Sequence, residues 1–111
     1  MALAIESRKT EDPRDARLFI TGDLDVDGAR IVRREFARLI REGRLDWTVN
    51  HDRVGFLDSS GLASLIAALR QARDRGGDVR VETSNERIRR VLEVTALSQV
   101  FKLARPASAA A

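Results

Sequence analysis

The stretch Phe56-Leu57-Asp58-Ser59-Ser60-Gly61-Leu62 marks the point where an apolar run gives way to a helical pattern. The run ends at an acid, two hydroxyls and a glycine. After them, apolar residues recur at the spacing of one helical face: Leu62, Leu65, Ile66 and Leu69. Such spacing is typical of an amphipathic helix, and Asp and Ser are favoured N-cap residues. The stretch therefore predicts a strand that is followed at once by a helix.

The same alternation extends outward in both directions. The predicted strands cover residues 3–7, 16–21, 45–50 and 79–81, and the first two are expected to form a hairpin. The predicted helices cover about residues 27–42, closed by Gly43, and the segment from the quoted stretch to Gly76-Gly77. A third helix is predicted behind Thr83-Ser84-Asn85-Glu86, which has the form of a capping box. Its apolar positions are Ile88, Val91, Leu92 and Thr95, with one last turn expected over residues 97–101.

Two consecutive strand-helix-strand passages predict an α/β fold with a parallel or mixed sheet, because the connections are long enough for crossovers. Each predicted helix has one apolar stripe, so each must lie against the sheet. We expect a single domain over residues 1–103, with three to four helices mainly on one face of the sheet. Residues 104–111, small side chains around Pro106, are expected to form a loose tail.

The charge pattern argues against direct binding of nucleic acid. The 111 residues carry a net charge of +3 with a pI of about 10.5, and 43% are hydrophobic, as in a globular domain. Arginines recur at helical spacing opposite an apolar stripe in the first predicted helix, at positions 30, 34, 38 and 41. Such a pattern is typical of a solvated helix face. Acids are dispersed among the arginines, and aromatic residues do not alternate with them.

The chain lacks the residues that most enzymatic mechanisms require. There is no cysteine, His51 is the single histidine, and Gly76-Gly77 is not a phosphate-binding loop. We interpret His51 as a loop residue at the end of a strand and Trp47 as a core residue. We therefore expect no catalysis by this chain alone, no metal and no cofactor. No segment approaches the ~20 apolar residues of a membrane helix, which predicts a cytoplasmic protein without membrane insertion.

The block Asp58-Ser59-Ser60-Gly61 allows two interpretations. In the first, these residues only cap the second helix. In the second, a serine accepts a phosphoryl group, because a helix N-terminus offers free amides and a partial positive charge that stabilise an anion by roughly 0.3–2 kcal/mol. Physical reasoning alone favours capping but leaves both open.

The quoted stretch also resembles the signature of STAS domains, in particular the bacterial anti-sigma factor antagonists. The likeness extends to residues 18–25, which are similar to the family's strand ending in Gly-Glu-Leu-Asp, and to Gly76-Gly77-Asp78-Val79 before a later strand. Residues 88–97, followed by Phe101, are similar to its C-terminal helical segment. The resemblance covers roughly residues 3–103.

The resemblance implies a four- to five-stranded mixed sheet and a partner-switching role. An unmodified antagonist binds an anti-sigma factor that is also a serine kinase, and so frees a sigma factor for transcription. Phosphorylation by that kinase ends the binding, and a serine phosphatase restores it. By position the acceptor corresponds to Ser59, with Ser60 and Gly61 as neighbours. Asp25 and Asp58 correspond to the family's acids near the acceptor.

Some positions depart from the family pattern. Asn50-His51 lies where an acid and an apolar residue are usual, Gly28 replaces a frequent threonine, and Thr95-Ala96-Leu97 lacks the usual glycine. Two alternatives to the switch remain open. One is a non-switching STAS adaptor, such as a subunit of a lipid-transport ABC complex or a stress-signalling scaffold. The other is a small enzyme or nucleotide-binding protein.

Overall fold

The strands of this protein follow one another across a single sheet in the order of the chain. A computed structural model describes residues 1–94 and 102–104. Within them the order of strands is β1-β2-β3-β4-β5. The elements are β1 (Ala4–Lys9), β2 (Asp15–Leu24), α1 (Val26–Arg41), β3 (Asp46–Leu57), α2 (Ser59–Asp74), β4 (Asp78–Glu82), α3 (Glu86–Val94) and β5 (Lys102–Ala104).

This order explains why the helices cover one face of the sheet. Strand β1 is antiparallel to β2, and each later strand is parallel to the one before it. Parallel neighbours need crossovers, which are nearly always right-handed, and crossovers that step in one direction leave their helices on one side. The inward side chains of the sheet accordingly form one core with those of all three described helices. The mixed sheet predicted from the sequence is confirmed.

The alternation of side chains along β2 shows the two faces of the sheet. Ala16, Leu18 and Ile20 are buried beneath the helices, whereas Arg17 and Phe19 are partly exposed on the opposite face. We call this second face, which the described helices do not cover, the open face. On the helical side Trp47 is 1% exposed and packs against Phe36, with ring centroids 4.4 Å apart. The prediction of Trp47 as a core residue is confirmed.

The predicted helices α1 and α2 are confirmed, but the strands are longer than expected. Strand β2 continues through Gly22 to Leu24, three residues beyond the predicted end at residue 21, because it keeps pairing with β3 to its end. Arg30, Arg34 and Arg41 lie on the exposed side of α1 as predicted. Arg38 is partly buried and pairs with Glu35 and Glu42.

His51 is a core residue, so its interpretation as a loop residue at a strand end is wrong. Strand β3 extends seven residues beyond Asn50. Between the register pairs Phe19–Asn50 and Thr21–Arg53, β3 advances by three residues while β2 advances by two. The extra residue in β3 forms a bulge, so the next side chain after His51 that faces the core is that of Val54 and not that of Arg53. The His51 side chain is 0% exposed. Its Nδ1 lies 3.1 Å from the Val49 carbonyl oxygen.

The N-cap of α3 is Asn85, two residues after Thr83, the residue that begins the predicted capping box. Thr83 Oγ1 accepts a hydrogen bond from the Asn85 amide at 2.9 Å, and Asn85 Oδ1 accepts one from the Arg87 amide at 3.0 Å. Asn85, not Thr83, therefore satisfies the first helix amides, and α3 begins at Glu86. Strand β5 was not predicted, and it includes Ala104, the first residue of the expected tail. Thr95 of the predicted third helix, the predicted turn over residues 97–101 and positions 105–111 lie outside the described residues.

Burial of His51 predicts a specific dependence of stability on pH. Desolvation lowers the pKa of His51 from 6.5 to about 4, so the folded state favours the neutral imidazole. The unfolded chain then binds more protons between these values, and stability falls as the pH falls from about 6.5 to about 4. Relative to His51→Leu, the wild type should lose roughly 3 kcal/mol over this range.

Urea unfolding of both proteins at pH 7 and pH 4 measures this difference. Carboxylates that titrate in the same range contribute equally to both chains and cancel. An equal gap in unfolding free energy at the two pH values would show that His51 keeps its ordinary pKa in the folded protein.

Candidate functional site

Ser59 is the first residue of α2, and the residue before it caps the helix. Asp58 has an extended backbone, and its Oδ1 accepts a hydrogen bond from the Gly61 amide at 3.0 Å. The Asp58 carbonyl then accepts the first bond within the helix, from the Leu62 amide. The capping interpretation of Asp58 is therefore correct, and it leaves the hydroxyl of Ser59 free for another role.

The neighbouring helix begins in the same way. Asp25 Oδ1 accepts a hydrogen bond from the Gly28 amide at 2.9 Å. Leu24 and Leu57 are register partners at the ends of β2 and β3, so the two capping aspartates follow directly on neighbouring strands. The structure thus brings Asp25 and Asp58, both predicted as site residues, to one edge of the sheet. We call it the carboxyl edge, because β2 and β3 end there.

Gly61 and Gly28 let the two helices begin close to the strand ends. A Cβ atom on Gly61 would overlap the carbonyl oxygen of Leu24, and one on Gly28 would overlap that of Asp23. Any side chain at either position would push the helix away from β2. This close approach gives a packing reason for Gly28, which departs from the family pattern, and for Gly61 within the predicted site.

Ser59 is accessible to a visiting protein. Its residue is exposed, whereas Ser60 is only partly exposed. Among the described residues, no hydrogen bond engages the Ser59 hydroxyl, and the amides of Ser59 and Ser60 lie in the first turn, where a helix supplies no acceptor. An anion attached to Ser59 would therefore lie beside free amides at the positive end of α2.

Two exposed apolar side chains at the carboxyl edge were not among the predicted site residues. Val26, the first residue of α1, and Phe56 are each 53% exposed. Val26 occupies in α1 the position that Ser59 occupies in α2. The sequence offered one signal for Phe56: it precedes Leu57 directly, and alternation along a strand turns only one of two adjacent residues inward.

The described residues show neither a metal site nor a membrane-spanning helix. No group of three histidine or acidic side chains within residues 1–94 and 102–104 is arranged to hold a metal ion. None of the described helices combines the length and apolar character needed to cross a membrane.

A sequence profile of the family described as "Mlab, STAS domain" matches residues 7–104. The chain belongs to the STAS-domain family. The resemblance noted in its sequence is thereby confirmed. The anti-sigma-B factor antagonist of Bacillus subtilis (strain 168) is 24% identical to this STAS domain over 103 residues, which are 93% of this chain and 92% of the relative.

Solved structures share the fold. An anti-sigma factor antagonist from Mycobacterium paratuberculosis superposes with a TM-score of 0.83 at 18% identity, covering 98% of this STAS domain and 91% of that protein. The Bacillus cell fate determinant SpoIIAA in its phosphorylated form gives a TM-score of 0.73 at 18% identity, covering 96% of both chains.

The close approach at Gly61 predicts that stability is sensitive to a side chain at position 61 and insensitive to one at position 55. Gly61→Ala should lower the free energy of unfolding by about 1–3 kcal/mol, because the new methyl group overlaps the Leu24 carbonyl and outweighs the helix preference of alanine. Gly55→Ala is the matched control, since its Cβ would have Asp23 Oδ1 at 3.7 Å as its nearest neighbour. Chemical denaturation of both variants measures the effect. Equal stabilities would contradict the packing role of Gly61.

Proposed function

We propose that this STAS domain is an anti-sigma factor antagonist that is switched by phosphorylation of Ser59. In its unmodified state it binds an anti-sigma factor with serine kinase activity and so releases a sigma factor. Phosphorylation of Ser59 by that kinase ends the binding, and a serine phosphatase restores it. In this proposal the chain is a regulatory binding module and not an enzyme.

The exposure of Ser59 is the observation that carries this proposal. A kinase must reach the hydroxyl, and this hydroxyl is exposed and has no hydrogen-bond partner among the described residues. Because Asp58 satisfies the Gly61 amide, modification of Ser59 breaks no capping bond. The relatives and structural neighbours described as anti-sigma factor antagonists support the same function.

The exposed apolar side chains supply a reason for a partner to bind at the carboxyl edge. Val26 and Phe56 are large and half exposed on the same edge as Ser59, where a partner would remove them from water. Burial of apolar area at ~25 cal/mol per Å² gives most of the driving force of association. Ser59 would then lie within the buried contact, where any added group must be accommodated.

Phosphorylation at this position opposes docking for an electrostatic reason. Phosphoserine adds about −1.5 to −2 charges at neutral pH, close to the carboxylates of Asp25 and Asp58. In the free protein, water and the free amides of α2 stabilise the phosphate. A docked partner excludes that water. One like-charge pair at ~4 Å costs up to about 4 kcal/mol at an effective dielectric constant of ~20, nearly a thousandfold in affinity.

Substitution of each serine tests the acceptor. We expect Ser59→Ala to take up no phosphate from the cognate kinase and to bind the anti-sigma factor constitutively. We expect Ser59→Asp to weaken that binding at least tenfold, because it adds one fixed charge to the contact. Ser60→Ala is the matched control and should be phosphorylated like the wild type. Incubation with the kinase and ATP, mass-spectrometric mapping and a titration give these results.

Two outcomes would contradict the assignment. Phosphate uptake that is lost in Ser60→Ala and kept in Ser59→Ala would move the acceptor to Ser60. Stable association with a membrane-complex ATPase, without phosphorylation of either serine, would favour the non-switching adaptor of a lipid-transport complex or a stress-signalling scaffold.

The electrostatic argument makes a separate prediction for Asp58. Asn caps helices as well as Asp, so Asp58→Asn should keep the bond to Gly61 while removing one charge next to Ser59. The ratio of the dissociation constants of the phosphorylated and unmodified forms should then fall at least tenfold relative to the wild type. Asp74→Asn removes an equal charge at the other end of α2 and should leave the ratio unchanged.

Isothermal titration of the wild type, Asp58→Asn and Asp74→Asn against the anti-sigma factor, each in its phosphorylated and unmodified form, measures the three ratios. An unchanged ratio in Asp58→Asn would show that the bulk of the phosphoryl group, and not its charge, ends the binding.

A further inference from the structure

The open face of the sheet has an ordered pattern of charge that the proposed switch does not use. Cross-strand register aligns its side chains in rows, numbered from the start of β2, of which the fifth, Asp23 with Phe56, lies at the carboxyl edge and the first four form the body of the face. The first row is Asp15, Asp46 and Asp78, and the second is Arg8, Arg17, Thr48 and Arg80. The third row is Glu6, Phe19, Asn50 and Glu82, and the fourth is Ala4, Thr21 and Arg53.

The sign of the charge alternates from row to row. The first and third rows are negative, and the second and fourth are positive. Two shallow hollows of about 370 and 340 Å³ lie on this face. Asp46 and Arg80 both line the first hollow, and Arg53 and Phe19 both line the second.

An alternating pattern of this kind is complementary to itself. Consider a two-fold axis in the contact plane that runs parallel to the rows, midway between the second and the third. Rotation about this axis reverses the order of the rows, so that the first row of one copy faces the fourth row of the other and the second row faces the third. Each of the first four rows of one copy then faces a row of opposite charge on the other. Such an isologous contact closes at two copies. We propose that the open face is a dimerisation surface, on which a second copy of this chain docks sheet to sheet.

The individual side chains fit this arrangement. Asp46 faces the partner's Arg53, and because both residues lie on β3, the contact occurs twice. Arg8, which pairs with its own Glu6 in one copy, faces the partner's Glu6 instead. The Phe19 ring that Arg8 leaves is then faced by the partner's Arg17. A cation over that ring already has a precedent within one copy, where the Arg8 guanidinium lies 4.5 Å from the centroid of Phe19.

Ion pairs within one copy satisfy only part of this charge. Arg17 pairs with the buried Glu82 at 2.9 Å, Arg8 pairs with Glu6 at 3.0 Å, and Arg14 lies 3.5 Å from Asp46. The pairs of Arg8 and Arg14 are exposed, so they contribute little to stability and can exchange partners, whereas Glu82 stays with Arg17. Among the residues that the structure describes, Arg53 and Arg80 form no ion pair. Their charges are therefore available to a second copy.

The size of the face predicts a weak and reversible dimer. Four strands ~4.8 Å apart and four rows ~6.8 Å apart give roughly 500 Å² for each copy, or about 1,000 Å² in total. This total lies at the lower limit of specific interfaces, so we expect a dissociation constant between ~10 μM and ~1 mM. Because the rows are charged, the constant should rise at least tenfold between 50 mM and 500 mM salt.

Charge exchange on β3 tests the dimer. Asp46→Lys alone or Arg53→Glu alone puts like charges opposite each other twice, and each should weaken association at least tenfold in analytical ultracentrifugation. The double variant Asp46→Lys/Arg53→Glu should restore it, and so should an equimolar mixture of the two single variants. Asp46 and Arg53 of one chain are ~23 Å apart along the strand, so no pair within a copy could give this rescue.

Matched controls lie on the helical side. Asp74→Lys on α2 and Arg41→Glu on α1 change the net charge equally at exposed positions away from the open face, and should leave the dissociation constant unchanged. A wild-type chain that stays monomeric up to ~1 mM at low salt would overturn the proposal. So would a dimer that the single variants leave intact, or one that the double variant fails to restore. None of these measurements needs the anti-sigma factor, so they are independent of the proposed switch.

Discussion

The close contact between the start of α2 and the end of β2 determines the geometry of the carboxyl edge. Gly61 lies against the Leu24 carbonyl, and its amide donates to Asp58. Together these contacts hold the first turn of α2 against the sheet and leave Ser59 on the outer side of that turn. The equivalent contacts at Gly28 and Asp25 hold α1 beside it. The accessibility of Ser59 is thus a consequence of packing on the opposite side of the same helical turn.

The parts of this fold that depend on local pattern could be predicted from the sequence. Apolar spacing gave α1 and α2, and the capping chemistry of Asp58 gave the start of α2. The family resemblance put Asp25 and Asp58 near the acceptor, and the structure has them directly after neighbouring strand ends. The family resemblance added the number of strands and the choice of Ser59, which local physics left undecided between a cap and an acceptor.

The parts that failed depend on pairing with a distant strand. His51 looked like a loop residue because the apolar alternation stops at Asn50 and resumes out of phase at Val54. A bulge in β3 explains the break, but a bulge is defined against a partner strand that a single segment does not reveal. The same holds for β5, a three-residue strand that pairs with β4 through the backbone. Its sequence has too few positions to establish any period.

The two faces of the sheet differ in their exposure to solvent, and their side chains differ accordingly. Helices bury the inward face, so its side chains are apolar, and the orphan Nε2 of His51 is the one unsatisfied buried side-chain atom within the described residues. The open face has no helix over it and must remain compatible with water, so charges alternate along its strands. That alternation puts opposite charges next to each other within a monomer, and it also makes the surface complementary to its own copy. Because α2 lies on the other face, a dimer formed there leaves both Ser59 hydroxyls accessible.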